Sequence, residues 1–458
     1  MAEGANAATE CIAEPEYTWH PPEYKFSTES PPLRYNLSLP DGQNAPANFM
    51  RSAKWSPDGL SVLGNREDGS FQLYEMYCII QSYVYCNSDV QDTSVDLTDT
   101  VIQPRASFRQ PSPILDFLWY PSASLHNPAS YCFVASVREC PVRLFEASTG
   151  RLRASYKIID HCERQVAPHS MSFNPTASRL YCGFENAIEV FDVQNPGEGT
   201  RLHTTPSRKS NDGLKGIISA LAFSSDGSFS DAYFAAGSLS SYSHNIALYN
   251  EAQGENPTMF IGNNDTKGYG GVTQLRFHPF KPHILYASFR GRASYGRVYA
   301  WDLRAVDSGV SNPPYQVFQV YRDINELEIK TKELNFNQRM KFDIDVTGRW
   351  LSLGDQAGRI STFDLNAEAV TTCDDGISFP SFQFEAHSDA VGSVSFNSCF
   401  PLLLSTSGSR HFDVNQNVES DESSDDEEDN EEAQKAVIRR DKLVPFTYDS
   451  SVKVWDMN

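Results

Sequence analysis

The chain has 458 residues, 40% hydrophobic and 12% aromatic, enough to bury a large core, and no apolar run approaches the ~18 residues needed to cross a bilayer. Met1 to Thr9 lacks the basic start and apolar stretch of a signal peptide, so a nuclear or cytosolic protein with no membrane partner is expected. The formal charge of −21 is unevenly spread: residues 419–432 carry ten acids and no base, residues 1–40 carry six acids against Lys25 and Arg34, and the remainder holds only −7.

In chain order, residues 1–48 form an N-terminal segment whose best-patterned strand candidate is Arg34 to Leu39. From residue 49 onward a short pattern recurs seven times: an apolar residue, two further positions, an aromatic, then an acid or Asn. Its copies are Phe71 to Glu75, Val142 to Glu146, Ile188 to Asp192, Ile246 to Asn250, Val298 to Asp302, Ile360 to Asp364 and Val452 to Asp456. A second pattern precedes each copy and ends on Trp55, Trp119, Phe173, Phe223, Phe277, Phe342 or Phe396, usually followed by a turn. Alternation at period two marks half-buried strands, and Pro57-Asp58-Gly59 and Asp226-Gly227 mark tight turns. A further short strand lies between the patterns, as in Leu180 to Gly183 and Trp350 to Leu353.

Each unit reads as an antiparallel meander that cannot bury both faces alone, and stacking seven units around an axis solves that problem. The expected fold is all-β: a seven-bladed WD-repeat β-propeller over residues 49–458, with a pair of sandwiches as the plainer alternative. In WD-repeat propellers the Trp-Asp dipeptide ends the third strand of a blade. Because Trp455-Asp456 lies two residues from the last, the outer strand of the seventh blade must come from the N-terminal segment, near residues 34–39. Trp301, Asp302, Trp455 and Asp456 are the clearest structural repeat residues.

Chemistry-bearing motifs are few. No phosphate-binding glycine loop, HExxH or GxSxG occurs, and the nine cysteines include no CxxC pair, so neither a metal nor a cofactor is expected. His387-Ser388-Asp389 holds the residue types of a hydrolytic triad, but adjacent residues cannot form a chain that is assembled from distant segments. His387 instead fits the hydrogen-bonding position ahead of a blade's first strand, with Asp389 as its expected partner. Asp343 and Asp345 read as a solvated loop. Residues 411–445, with their acidic run, read as a disordered insertion in the last blade, in which Ser423 and Ser424 precede acids and are candidate phosphorylation sites.

The loops before the first strand and between the second and third strands of each blade share one rim. That rim collects Arg51, Arg66, Arg109, Arg138, Arg164, Lys215, Lys267, Arg290, Arg292, Arg297, Arg339 and Arg410 against fewer acids. Arginine favours bidentate phosphate contacts and stacking on bases. Phe289 and Tyr295 (with Phe184 and Tyr269) are candidate stacking platforms, and Asn337 and Gln338 candidate readers of base edges. The alternative for any one arginine is a bridge between blades or a solvated loop.

Several segments go beyond a general WD-repeat pattern: Ala53 to Gly59, Ser136 to Phe145, Thr149 to Tyr156, His169 to Pro175, Leu180 to Phe184, Gly216 to Ser224, Asn337 to Asp343 and Leu402 to Gly408. Together, from about residue 49 to about 410, they resemble the telomerase Cajal body protein family. The resemblance implies a non-catalytic scaffold that binds small Cajal-body guide RNAs through a short element in a hairpin loop. In animal members it also implies telomerase RNA, and fungal relatives are associated with small nuclear RNAs and splicing. The chain differs from animal members in having about 48 residues ahead of the propeller and in ending at Asn458. The expectation is therefore a monomeric nuclear propeller, in Cajal bodies or nucleoplasm, with small nuclear or guide RNAs and ribonucleoprotein proteins as partners. The rival reading is a protein-interaction adaptor, a ligase, splicing or chromatin scaffold that does not touch RNA.

Overall fold

The computed structural model describes residues 19–26, 30–39, 47–77, 101–207, 210, 212–225, 232–240, 245–254, 256–262, 269–291, 294–306, 313–321, 338–366, 376–412 and 445–458. Strands that alternate one buried and one outward residue need two covered faces, and the covering here is other copies of the same unit. Among the described residues, seven sheets of four or five strands result, each built on an antiparallel four-stranded meander, two of them with a short parallel strand added at the edge. Blade 1, for example, runs Met50–Trp55, Ser61–Arg66, Ser70–Glu75 and Ala106–Arg109. Each acid-terminated repeat is the third strand of its blade, as in Val142–Glu146 and Arg297–Asp302.

The core is not one mass but a cluster of buried side chains in each gap between neighbouring blades. Leu63, Phe71 and Leu73 of blade 1 pack on Ile114, Phe117 and Trp119 of blade 2. Trp350 and Ile360 of blade 6 pack on Val394, Phe396 and Trp455 of blade 7. The last gap is filled by Tyr35, Leu37, Val452 and Val454 against Met50, Trp55 and Tyr74. The propeller is therefore a closed ring of equivalent apolar interfaces.

Closure uses the expected segment. Leu33–Leu37 pairs antiparallel with Val452–Asp456, matching Tyr35 with Val454 and Leu37 with Val452, with a bulge between Leu33 and Tyr35. Its other edge takes a short parallel pairing with Val101–Ile102. Upstream, the Lys25 amide donates to the Met457 carbonyl at 2.7 Å, and the buried Tyr24 hydroxyl donates to the Asn397 carbonyl at 2.5 Å. The two ends of the described chain thus form the outer half of one blade.

Asp343 and Asp345 are not a solvated loop. Both are buried: Asp343 accepts the Phe396 amide at 2.8 Å, and Asp345 accepts the Trp350 amide at 2.7 Å. Asp345 thus satisfies the amide that opens the second strand of its own blade, and Asp343 an amide at the end of the first strand of blade 7. The base of the 411–445 insertion is the two-stranded pair His411–Phe412 with Pro445–Phe446, and the acidic run, with Ser423 and Ser424, lies outside the described residues.

Candidate nucleic-acid interface

The innermost strands surround a central channel, and their alternation decides what lines it. The signature aromatic at a strand's end turns into the blade, so the residue before it faces the axis. Lys54, Leu118, Arg276, Lys341 and Ser395 are such residues, and all line the channel. Toward the rim that holds the loops before first strands, Arg51, Asp116, His169, Gln274, Gln338 and Arg339 join them around a cavity of about 300 Å³.

Cations outnumber carboxylates there, and the few carboxylates are spoken for. Asp116 accepts the Met171 amide at 3.1 Å and pairs with Lys341 at 3.6 Å across the channel. Asp343 pairs with Arg276, and burial holds its carboxyl above the usual range despite that partner. Half-buried Lys54 donates to the Phe117 carbonyl at 2.7 Å. Burial, reinforced by the Lys341 charge, pushes its ammonium down to about 8.

Arg339 reaches the mouth because its segment leaves blade 6 to run along blade 7. Gln274 holds the Phe342 backbone at both ends, accepting its amide at 3.0 Å and donating to its carbonyl at 2.8 Å. The Lys341 amide donates to the Gly392 carbonyl at 3.0 Å, and Gln338 Nε2 donates to the Gly408 carbonyl at 3.0 Å. Arg339 itself, half-buried, makes no hydrogen bond or ion pair through its guanidinium among the described residues. Burial, with the like charges of Arg51 and Arg290, lowers its pKa. His169, which lines the same mouth as Arg51 and Arg339, is held below its usual pKa by burial and then by the charges of Arg339 and Arg138.

The sequence-predicted residues divide accordingly. Arg138 and Arg290 are exposed in the turns between second and third strands of blades 2 and 5, and Arg339 lines the channel mouth. Gln338 is beside the mouth, though its amide ties two blades together. Arg164 lies elsewhere, paired with Asp160 at 3.1 Å beside a groove that also holds Arg201 and His203. Arg297 donates to Gln319 Oε1 at 2.8 Å on the outer half of blade 5, and Lys215 is half-buried in the loop before blade 4. Arg292 and Asn337 lie outside the described residues, as does Lys267.

The aromatic candidates are a correction. Phe289 is buried among Tyr269, Tyr299 and Trp301, because it sits on the inward side of a second strand whose every residue is covered. Tyr295 is half-buried against Tyr321, its hydroxyl accepting the Gln356 amide at 2.8 Å. Phe184 is likewise core, and Tyr269 stacks on Tyr299. Phe184 and Phe289 are therefore closed to a base, and Tyr269 and Tyr295 are packed on neighbouring rings. Missed beforehand were Lys54, Arg276 and Lys341; the signal was present in the residue preceding each signature aromatic.

His387 is structural, but its carboxylate partner is not Asp389. Its Nε2 meets Ser405 Oγ at 2.7 Å, its Nδ1 meets Ser451 Oγ at 2.9 Å, and Asp449 lies at 3.4 Å. Trp455 Nε1 donates to the same Ser405 oxygen at 2.8 Å, linking the loop before the blade to its third strand. Asp389 instead gathers the hydroxyls of Ser409 and Thr447, His411 and the Tyr448 amide at the base of the insertion. Asp302 is engaged by Arg304 at 2.6 Å, and the Asp456 amide donates to Pro32. Asp160, His161 and Cys162 stand close together, but Asp160 already serves Arg164 and the Cys162 amide.

No family model matches the chain. Among curated proteins, the telomerase Cajal body protein 1 of Bos taurus is 29% identical over 367 residues, 80% of this chain and 59% of that protein. The chain is thus similar to the telomerase Cajal body proteins. The Homo sapiens telomerase Cajal body protein 1 is also 29% identical, over 389 residues, 85% of this chain and 62% of that protein. A Schizosaccharomyces pombe protein named guanine nucleotide-binding protein negative regulator 1 is 25% identical over 265 residues, 57% of this chain. The match thus spans about 59–62% of the length of the bovine and human telomerase Cajal body proteins.

Proposed function

We propose that this chain is a non-catalytic nuclear scaffold that binds a short loop element of small nuclear or Cajal-body guide RNAs, with telomerase RNA as a further candidate. The observation that carries the reading is the gathering of Arg51 and Arg339 with Lys54, Arg276 and Lys341 around one channel mouth in a chain of net charge −21. An acidic protein gathers arginines in one place at a cost in like-charge repulsion, and an anionic partner offsets that cost. The name of the bovine and human relatives, telomerase Cajal body protein, supports the same reading. With Phe289 and Tyr295 in the core, recognition rests on phosphate contacts and base-edge hydrogen bonds more than on aromatic stacking.

Ultraviolet crosslinking in cells, followed by sequencing of the bound RNA, tests this directly. Enrichment of small nuclear or guide RNAs is the expected result. A chain that yields proteins but no such RNA above background is an adaptor of the protein-interaction kind, and the reading fails.

A further inference from the structure

A half-buried charge is costly unless an opposite charge or a set of hydrogen bonds compensates it. Across most of this propeller that rule is obeyed by local pairs: Arg201 with Glu189 at 2.7 Å, Arg359 with Asp355 at 2.9 Å, Arg304 with Asp302. The channel obeys it only in part: Lys341 pairs with Asp116 and Arg276 with Asp343, and two further cations are left over. Arg339 has no such partner among the described residues, and the carboxylate whose field reaches it, Asp116, is taken by Lys341 and the Met171 amide. Deeper in, Lys54 donates to the Phe117 carbonyl and faces its ring at 4.9 Å; Arg276 and Lys341 are neighbours of the same sign, and the only nearby carboxylates among the described residues, Asp116 and Asp343, are the ones that pair with those two. Lys54 and Arg276 on two innermost strands, Lys341 just ahead of a third, and Arg339 at the mouth converge on a cavity of about 300 Å³.

We infer that the mouth of the central channel is a phosphate-binding site, seating one phosphate group between Arg339 and the Lys54–Arg276–Lys341 cluster. The shape suits a compact tetrahedral anion: the guanidinium offers a fork of donors and the ammonium groups offer point charges below it. A carboxylate on a protein chain would need a side chain to follow it into the channel; a phosphate carries its charge on all sides. Gln274, already fixed by both of its bonds to Phe342, holds the wall on that side rigid. The site deepens the RNA reading if the phosphate belongs to a nucleotide of the bound loop, and stands apart from it if the ligand is a free polyphosphate.

The test uses the full chain at low ionic strength, with tripolyphosphate and a fluorescein-labelled single-stranded RNA as probes, against Arg339→Gln combined with Lys341→Gln. Tripolyphosphate is expected to bind the wild type by calorimetry and to bind the double variant at least ten-fold more weakly. A measurement on the unaltered protein guards against a misfolded variant: tripolyphosphate should protect Lys54 and Lys341 from amine acylation, read by mass spectrometry. Absence of both binding and protection overturns the site, as does unchanged affinity in a folded double variant. If tripolyphosphate displaces the RNA and the variant loses both, the phosphate is the RNA's own. If the variant loses only tripolyphosphate, the ligand is a free polyphosphate. RNA binding that survives while tripolyphosphate never binds leaves the RNA reading intact and removes the channel site. Tripolyphosphate binding with no RNA binding does the reverse.

Discussion

Ring closure allows a quantitative prediction. Deleting residues 1–40 removes Tyr24, Tyr35 and Leu37, each at least nine-tenths buried, and strips the outer edge from Val452–Asp456. At about 1.5–3 kcal/mol per buried side chain, the loss is roughly 5–9 kcal/mol, an upper estimate because the unfolded chain is itself partly compact. A globular domain holds only ~5–15 kcal/mol in total. The truncated chain is therefore expected to be marginal or unfolded at 25 °C. Urea unfolding followed by tryptophan fluorescence reports it, with Trp455 beside the vacated edge. The point variant Leu37→Ala, which keeps the strand paired, should cost about 2–5 kcal/mol. Adding a peptide of residues 19–39 in trans should recover part of the truncated protein's midpoint. An unchanged midpoint on truncation would show that the seventh blade does not depend on this strand, and the closed-ring account would be wrong.

The channel and the His387 network make further predictions. Burial keeps the His387 ring below its usual pKa, although Asp449 pulls the other way. The unfolded chain therefore takes up a proton near pH 6.5 that the folded ring refuses, and stability should fall as the pH drops from about 6.5. His387→Gln should flatten that part of the pH–midpoint curve, and an equally steep curve would refute the assignment. Asp449, held far below the usual carboxylate range in spite of burial by its bonds to His387, Ser451 and Ser388, adds stability above about pH 3.9 that is lost on further acidification. Gly358 has φ +83°, and a Cβ there would collide with the His387 carbonyl, so Gly358→Ala should lower the urea midpoint by more than ~1 kcal/mol equivalent. Phe289→Ala should cost about 3–5 kcal/mol of stability without changing the salt dependence of RNA binding. Arg138→Ala with Arg290→Ala should do the opposite, leaving the melt unchanged and flattening the slope of log K against log salt by about 1.4, at ~0.7 per lost phosphate contact. Coupled changes in both quantities for either variant would break the separation of core from rim.

Periodicity carried the fold because every blade repeats the same physical problem. An aromatic closing the first strand and an acid closing the third recur in order, and only a ring of stacked meanders buries all of them. The closing strand was legible for the same reason: Arg34 to Leu39 alternates as an edge strand must. Of the predicted rim arginines, Arg138 and Arg290 fall in turns as strand assignment implies, whereas Arg164 and Arg297 are drawn to partners elsewhere on the ring.

The remaining features depend on distances that sequence spacing does not contain. Whether Phe289 meets solvent or Trp301 depends on how two strands pack, and a rim loop and a covered strand end are one residue apart in sequence. Asp449, not Asp389, serves His387 because the loop between the second and third strands folds back over the blade, bringing together residues 62 positions apart. The channel is a property of the closed ring alone. Composition placed the cations and strand patterning aimed Lys54, Arg276 and Lys341 inward, but only closure set three blades' worth of positive charge facing one another across a single cavity.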